Sequence, residues 1–373
     1  MGIGLAVLVL AGVAQPAHAA TPSTRWHGTF SSRLTMPAGS DAAGAWPLRN
    51  YYTYVPPALK PVGQRSLIVY LHGTTQTAVD AANSVLWNDL ADEQGFVVAY
   101  PEEATSAESG STDDGSSDTR GWAWGRAGFE GRGVGEQRTI VEITRAVARN
   151  YGVDPGRVFI GGASAGAIMA TVLAATYPDV YSAVGSWAGC SYLCADSTGD
   201  AGYERMGTYA RVVPHILFAG TADYLINPAL SAEAITGIVG MNDLADDGKA
   251  NGSVSRKPTS GPKTYNATLS ALTPRPHPLK TDPKYGLAGT CLYDDGRGNN
   301  PCAAGVVGWK QYPYTVTKFA AKQAPRPVIV ESWVIHGMSH GYGGGSTEGT
   351  FSDPFGPDTT RAAWRFFQAH NRS

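Results

Sequence analysis

At 373 residues the chain has room for one large α/β domain or two small ones, and its 43% hydrophobic content can fill a sizeable core. Its 29 Lys and Arg nearly balance 31 Asp and Glu with no run of either sign, which excludes a basic nucleic-acid surface and an acidic scaffold tail. The 46 Gly and 24 Pro forecast long loops between regular elements.

The N-terminus carries the first signal. Gly2 to Val13 is apolar, Pro16 breaks the run, and Ala17-His18-Ala19 has the small-x-small form of a signal-peptidase site. Residues 1–19 read as a cleaved signal peptide, too short to span a bilayer comfortably. No Lys or Arg precedes the run, which a start upstream of Met1 would account for. An exported protein allows two disulfides among Cys190, Cys194, Cys291 and Cys302. Of three possible pairings, Cys190–Cys194 and Cys291–Cys302 are expected, each close in sequence and flanked by turn residues. No His stands at ligand spacing beside them, so no metal site is expected.

Strands and helices then alternate, as in a parallel α/β sheet. Tyr51–Val55 reads as a strand ended by Pro56-Pro57, Ser66–Leu71 as the next, and Ala78 to Glu93 as a helix. Phe96–Tyr100 follows as a strand closed by Pro101, and Glu102 to Asp118 as a polar surface loop. Glu136 to Asn150 has Ile140, Ile143 and Val147 at helical spacing. Arg157–Gly161 is an apolar strand and Ala167–Ala175 a helix. Ala183–Trp187, His215–Ala219 and Val328–Ile335 are further strands, and Asp358 to His370 a final helix. The hundred or so residues between Asp223 and Val328 lack that rhythm and read as a loop-rich insertion (about 240–325) over the sheet's carboxyl edge, within one catalytic domain spanning 20–373.

Between the Arg157–Gly161 strand and its helix stands Gly162-Ala163-Ser164-Ala165-Gly166. Strand, G-x-S-x-G, helix is the context of a nucleophile elbow, where glycines leave room for a strained turn beneath the serine. A serine hydroxyl needs a histidine base, and the base an orienting carboxylate, in the chain order Ser, acid, His for an α/β-hydrolase. Asp223 is the expected acid because it lies just past the His215–Ala219 strand, unlike Asp196, Asp243, Asp246 and Asp247. His340 is the expected base, in a Gly-rich loop after the Val328–Ile335 strand, with His336 the alternative. The oxyanion donors are expected at the backbone N–H groups of Ala165 and Thr74, the latter in the loop His72-Gly73-Thr74 after Leu71. His72 reads as a structural residue under that loop, and Trp122, Trp124 and Trp187 as a candidate aromatic substrate platform.

Leu71-His72-Gly73-Thr74-Thr75-Gln76 resembles the L-H-G-x-x-Q block of secreted polyhydroxybutyrate depolymerases and related feruloyl and acetylxylan esterases. Gly161–Gly166 with Ala174–Asp179, His340–Gly344 and Ser352–Pro357 resemble the family's nucleophile and histidine blocks. The resemblance covers roughly residues 50–225 and 328–370, and implies an α/β-hydrolase fold with Ser164, Asp223 and His340 as the triad. Two departures stand out: Thr74 takes the place of a frequent Cys, and no polymer-binding module follows the catalytic blocks, so no action on crystalline polyester is implied. The expected function is a secreted, monomeric serine carboxylesterase without cofactor, nucleic-acid or membrane partner, hydrolysing a hydroxyalkanoate polyester or oligomer. Feruloyl or acetyl esters on plant polysaccharide are the alternative substrate, and a catalytically inactive binding protein the alternative of another class.

Overall fold

The computed structural model describes residues 20–109, 115–129, 131–265, 312–323, 325, 327–354 and 356–372. The leader at 1–19, Cys291, Cys302 and much of the expected insertion lie outside the described residues.

Among the described residues eleven strands form the main sheet: β1 (Thr29–Phe30), β2 (Leu34–Met36), β3 (Arg49–Val55), β4 (Arg65–Leu71), β5 (Val97–Glu102), β6 (Val153–Ala163), β7 (Val184–Trp187), β8 (His215–Gly220), β9 (Ser260–Tyr265), β10 (Tyr314–Ala320) and β11 (Val328–Ile335). Their order is β1-β3-β5-β4-β6-β7-β8-β11-β10-β9, with β2 beside β3. The six from β5 to β11 run parallel, and the flanking strands pair antiparallel. The principal helices are α1 (Ala78–Ser84), α2 (Trp87–Gln94), α3 (Gly135–Tyr151), α4 (Ala165–Thr176), α5 (Asp200–Met206), α6 (Pro228–Asp247) and α7 (Thr359–Gln368).

Strand β4 shows why its sequence is apolar throughout. Leu67, Val69 and Leu71 pack with Ile140 and Val147 of α3 and Met169 and Leu173 of α4. The intervening Ile68 and Tyr70 pack on the other face with Trp87 and Leu90 of α2 and Phe366 and Phe367 of α7. A parallel strand covered on both faces has no polar side to show. Each large side chain so buried contributes roughly 1.5–3 kcal/mol. Helix α6 covers the far end of the sheet, setting Ala234, Ile238 and Val239 against Leu217 and Val330. Helix α4 is buried on every side, which its Ala-rich sequence permits.

Three expectations need correction. The single helix over Ala78 to Glu93 is two, because Val85 is extended and the loop after β11 docks at the break. There Ser346 N–H donates to Ser84 O at 2.7 Å, and Ser84 Oγ to Thr350 O at 2.7 Å. Pro101 does not close its strand. β4 stops pairing at Ala99, so Pro101 lies against Tyr51 of β3 alone and its missing N–H breaks no ladder on the β4 side. Asp223 to Val328 is less irregular than expected, since it contains the 20-residue α6, capped by the Asn227 side chain, and two strands that extend the sheet.

Candidate active site

The elbow forms where β6 runs into α4. Ser164 has φ +54° and ψ −122°, a region that costs a non-glycine residue about 1–3 kcal/mol. Its N–H donates to Trp187 O at 2.9 Å, and its carbonyl accepts from Ala167 and Ile168. A Cβ on Gly166 would lie 2.3 Å from Leu71 O and 2.5 Å from His72 O; one on Gly162 would lie 2.6 Å from Leu71 O. The two glycines let α4 enter against the end of β4, and no other residue fits there.

Asp223 and His340 come together from separate strand ends. His340 Nδ1 lies 2.9 and 3.0 Å from the two oxygens of Asp223, and both side chains are almost fully buried. The carboxylate requires the proton on Nδ1, which leaves Nε2 as the basic nitrogen. Asp223 Oδ1 also accepts from the N–H groups of Leu225 and Ile226 at 2.9 Å each, so the acid is fixed by its own turn. Among the described residues Ser164 Oγ and His340 Nε2 have no hydrogen-bond partner; catalytic hydrogen bonds often tighten only with substrate bound. His336 is exposed and bonds Thr315 Oγ1 at 2.8 Å, away from Asp223. The rejected aspartates hold loops instead: Asp196 accepts from Gly199 and Gly202, and Asp243 from Gly252 and Val254.

The loop after β4 leaves one amide free. Gly73 N–H donates to Gln76 Oε1, Thr75 N–H to Thr119 O, and Gln76 N–H to Gly73 O. Thr74 N–H has no acceptor among the described residues, nor has Ala165 N–H at the first turn of α4, where the helix dipole favours negative charge. Gly73 is close to the elbow, since a Cβ built on it would stand 3.5 Å from Ser164 Cβ.

A buried polar layer supports this loop. His72 is fully buried, and burial lowers its pKa to about 4. Its Nε2 accepts Glu103 N–H at 3.0 Å, so Nδ1 carries the proton and donates to Gly73 O at 2.9 Å. Behind it, fully buried Arg49 bonds both Glu103 and Glu136, and Glu136 accepts from Ala123 N–H at 2.6 Å. Burial pushes the Glu136 carboxyl up while Arg49 pulls it down, with a net rise. Glu102 and Glu103 are therefore interior residues, contrary to the expected surface loop: Glu102 accepts Ala78 N–H, and the next residue carries the His72 contact. Only the pairing of an early Arg with two later Glu could have signalled this, and nothing in local sequence does.

The tryptophan platform is also corrected. Trp187 is fully buried, stacked on Phe218 and Tyr342 with Nε1 bonded to Thr359 Oγ1. Trp122 is 3% exposed and donates to His72 O at 2.8 Å, so it locks the loop. Trp124 is half-buried against the core. The disulfide Cys190–Cys194 is present. Among the described residues no group of three His, Cys, Asp or Glu could hold a metal ion, and no helix is long and apolar enough to cross a membrane.

Residues 49–247, more than half of the chain, match the family model described as Esterase PHB depolymerase. The chain belongs to this family. The match includes Ser164 and Asp223 and ends before His340. Among its relatives, poly(3-hydroxyalkanoate) depolymerase C of Paucimonas lemoignei is 28% identical over 270 residues, 65% of this chain and 62% of that protein. Feruloyl esterase B of Neurospora crassa is 29% identical over 210 residues, 49% and 67% respectively. A probable acetylxylan esterase A of Aspergillus flavus is 34% identical over 149 residues, 40% and 44%. The chain thus spans about three fifths of the first relative's length. The solved acetyl xylan esterase from Aspergillus awamori superposes over 91% of this chain and 100% of its own with TM-score 0.52 at 16% identity, which shows a shared α/β-hydrolase fold.

Proposed function

We propose that this chain is a serine carboxylesterase exported from the cell, whose substrate is a polyhydroxyalkanoate polyester or its oligomers. The Asp223–His340 pair carries the reading: it holds the imidazole by Nδ1 and leaves Nε2 free, in a chain whose strained serine elbow lies at the same end of the sheet. Ser164 Oγ attacks the ester carbonyl and passes its proton to His340 Nε2. The oxyanion accepts from Thr74 and Ala165 N–H, each such donor being worth about 10²–10³ in rate. His340 then protonates the leaving alcohol as the C–O bond breaks, and water cleaves the acyl-enzyme by the same route. Residues 1–19 would be removed at export, consistent with the Cys190–Cys194 disulfide, leaving 20–373 as one monomeric catalytic domain without a cofactor.

The polyester is favoured over the alternative esters because the depolymerase relative aligns over more of the chain than the feruloyl or acetylxylan esterases reported above. A fluorophosphonate probe should label wild-type protein once, on Ser164, and leave Ser164→Ala unlabelled. Folded wild-type protein that takes no label would sink the esterase and leave the inactive binding protein. Clearing of suspended hydroxybutyrate polymer supports the substrate; turnover of methyl ferulate or acetylated xylan alone replaces it.

A further inference from the structure

The described residues expose five large hydrophobic side chains: Leu48, Val62, Tyr209, Tyr224 and Leu225. Tyr209 is engaged by the Arg132 guanidinium, 3.8 Å from its ring. Tyr224 and Leu225 are consecutive, 69% and 51% exposed, and directly follow Asp223. An exposed apolar pair beside a buried Asp–His pair is what a ligand contact looks like before the ligand arrives.

The backbone of the pair is anchored to the acid. Leu225 N–H donates to Asp223 Oδ1, so the turn that fixes the acid also fixes the apolar surface. The Tyr224 ring stands edge-on to His340 with centroids 6.4 Å apart. Phe351 approaches His340 from another loop, also edge-on, at 6.2 Å. Phe351 has φ +52°, a strained value for a bulky residue, and is fixed on both sides. Thr350 before it bonds Asp80, Gln76 and Ser84, and the Phe351 carbonyl accepts Tyr342 N–H at 2.8 Å. Two aromatic rings thus border the imidazole, and exposed Leu225 follows one of them in the chain.

Resting on the esterase reading, we infer that Tyr224, Leu225 and Phe351 form the subsite for the leaving-alcohol side of the ester, and that this side is apolar. The chemistry assigns the side. His340 Nε2 must reach both Ser164 Oγ and the departing alcohol oxygen, so groups flanking the imidazole border the alcohol portion, while the acyl portion is held by the serine and the oxyanion donors. In a polyester the alcohol portion is the remaining aliphatic hydroxyacyl chain, which apolar rings can cover. In a polysaccharide ester it is a sugar ring that needs hydrogen-bonding partners.

The test uses the full chain and two series of soluble esters: acetates of methyl, butyl and hexyl alcohols, then methyl esters of acetic, butyric and hexanoic acids. Tyr224→Ser/Leu225→Ser should lower kcat/KM about tenfold more on hexyl acetate than on methyl acetate, the size expected on losing apolar contact from two side chains. The dependence on acyl length should keep its wild-type slope, and Tyr224→Phe should keep the wild-type preference among alcohols. Both substituted residues are exposed, so the thermal midpoint should stay within a degree or two. An unchanged alcohol-length preference, or a loss that follows acyl length, overturns the subsite and leaves the esterase standing. No turnover by the wild-type chain overturns the esterase and the subsite with it.

Discussion

His336 and His340 follow the same strand four residues apart, and their neighbours separate them. His340 is buried with Nδ1 on Asp223, whereas His336 is exposed and bonded to a threonine hydroxyl. His340→Ala should therefore remove ester turnover, while His336→Ala should leave kcat/KM within about twofold. Steady-state kinetics on a soluble ester checks both, and the reverse result would move the base. Asp223→Asn should lower kcat by about 10⁴, because an amide facing Nδ1 favours the wrong tautomer. Its thermal midpoint should hold near wild type, since the Asn oxygen can still accept from Leu225 and Ile226 N–H. The triad candidates were legible because chain order and strand ends are written in sequence. Trp122 and Trp187 misled because a tryptophan near a strand end looks the same whether its ring turns outward or into the core.

The elbow binds two elements together. β4 ends against the first turn of α4 with only glycine hydrogens between, so Gly166→Ala forces a methyl into the carbonyls of Leu71 and His72. A loss of about 2 kcal/mol or more is expected, with activity falling alongside as the His72–Thr74 loop shifts. Denaturant unfolding and ester kinetics on the same preparation test this; a variant as stable as wild type would mean that the elbow can move apart freely. The strands were legible to within a few residues because both-sided burial writes continuous apolar runs. The break between α1 and α2 was not, because it depends on Ser346 and Thr350, more than 260 residues away. α6 was overlooked because its mixed apolar and small residues lie among Gly, Pro and polar stretches that resemble loop.

Across the described residues of the molecule, two fully buried histidines make the fold acid-sensitive. Burial lowers His72 and His215 from 6.5 to about 4, so protons bind the unfolded chain first. Their contribution is complete above about pH 6.5 and is lost as pH falls toward 4, up to roughly 3 kcal/mol for each ring. Glu136 works the other way, since its raised pKa favours the folded chain at low pH and the benefit fades as pH rises. Thermal midpoints should drop between pH 7 and pH 4.5, and His215→Phe should flatten that drop at some cost near neutrality from the lost bond to Val213 O. An equally steep drop in the variant would remove His215 as a cause. By itself the sequence determined the α/β alternation, the G-x-S-x-G turn and Asp223 and His340 as candidates after their strands, because each follows from residues adjacent in the chain or from the position of a strand end. Only the tertiary structure decided which histidine meets Asp223, that Glu102 and Glu103 lie inside, and that the Tyr224 and Phe351 rings flank the imidazole. Those outcomes depend on contacts between segments far apart in the chain, which local patterns do not record.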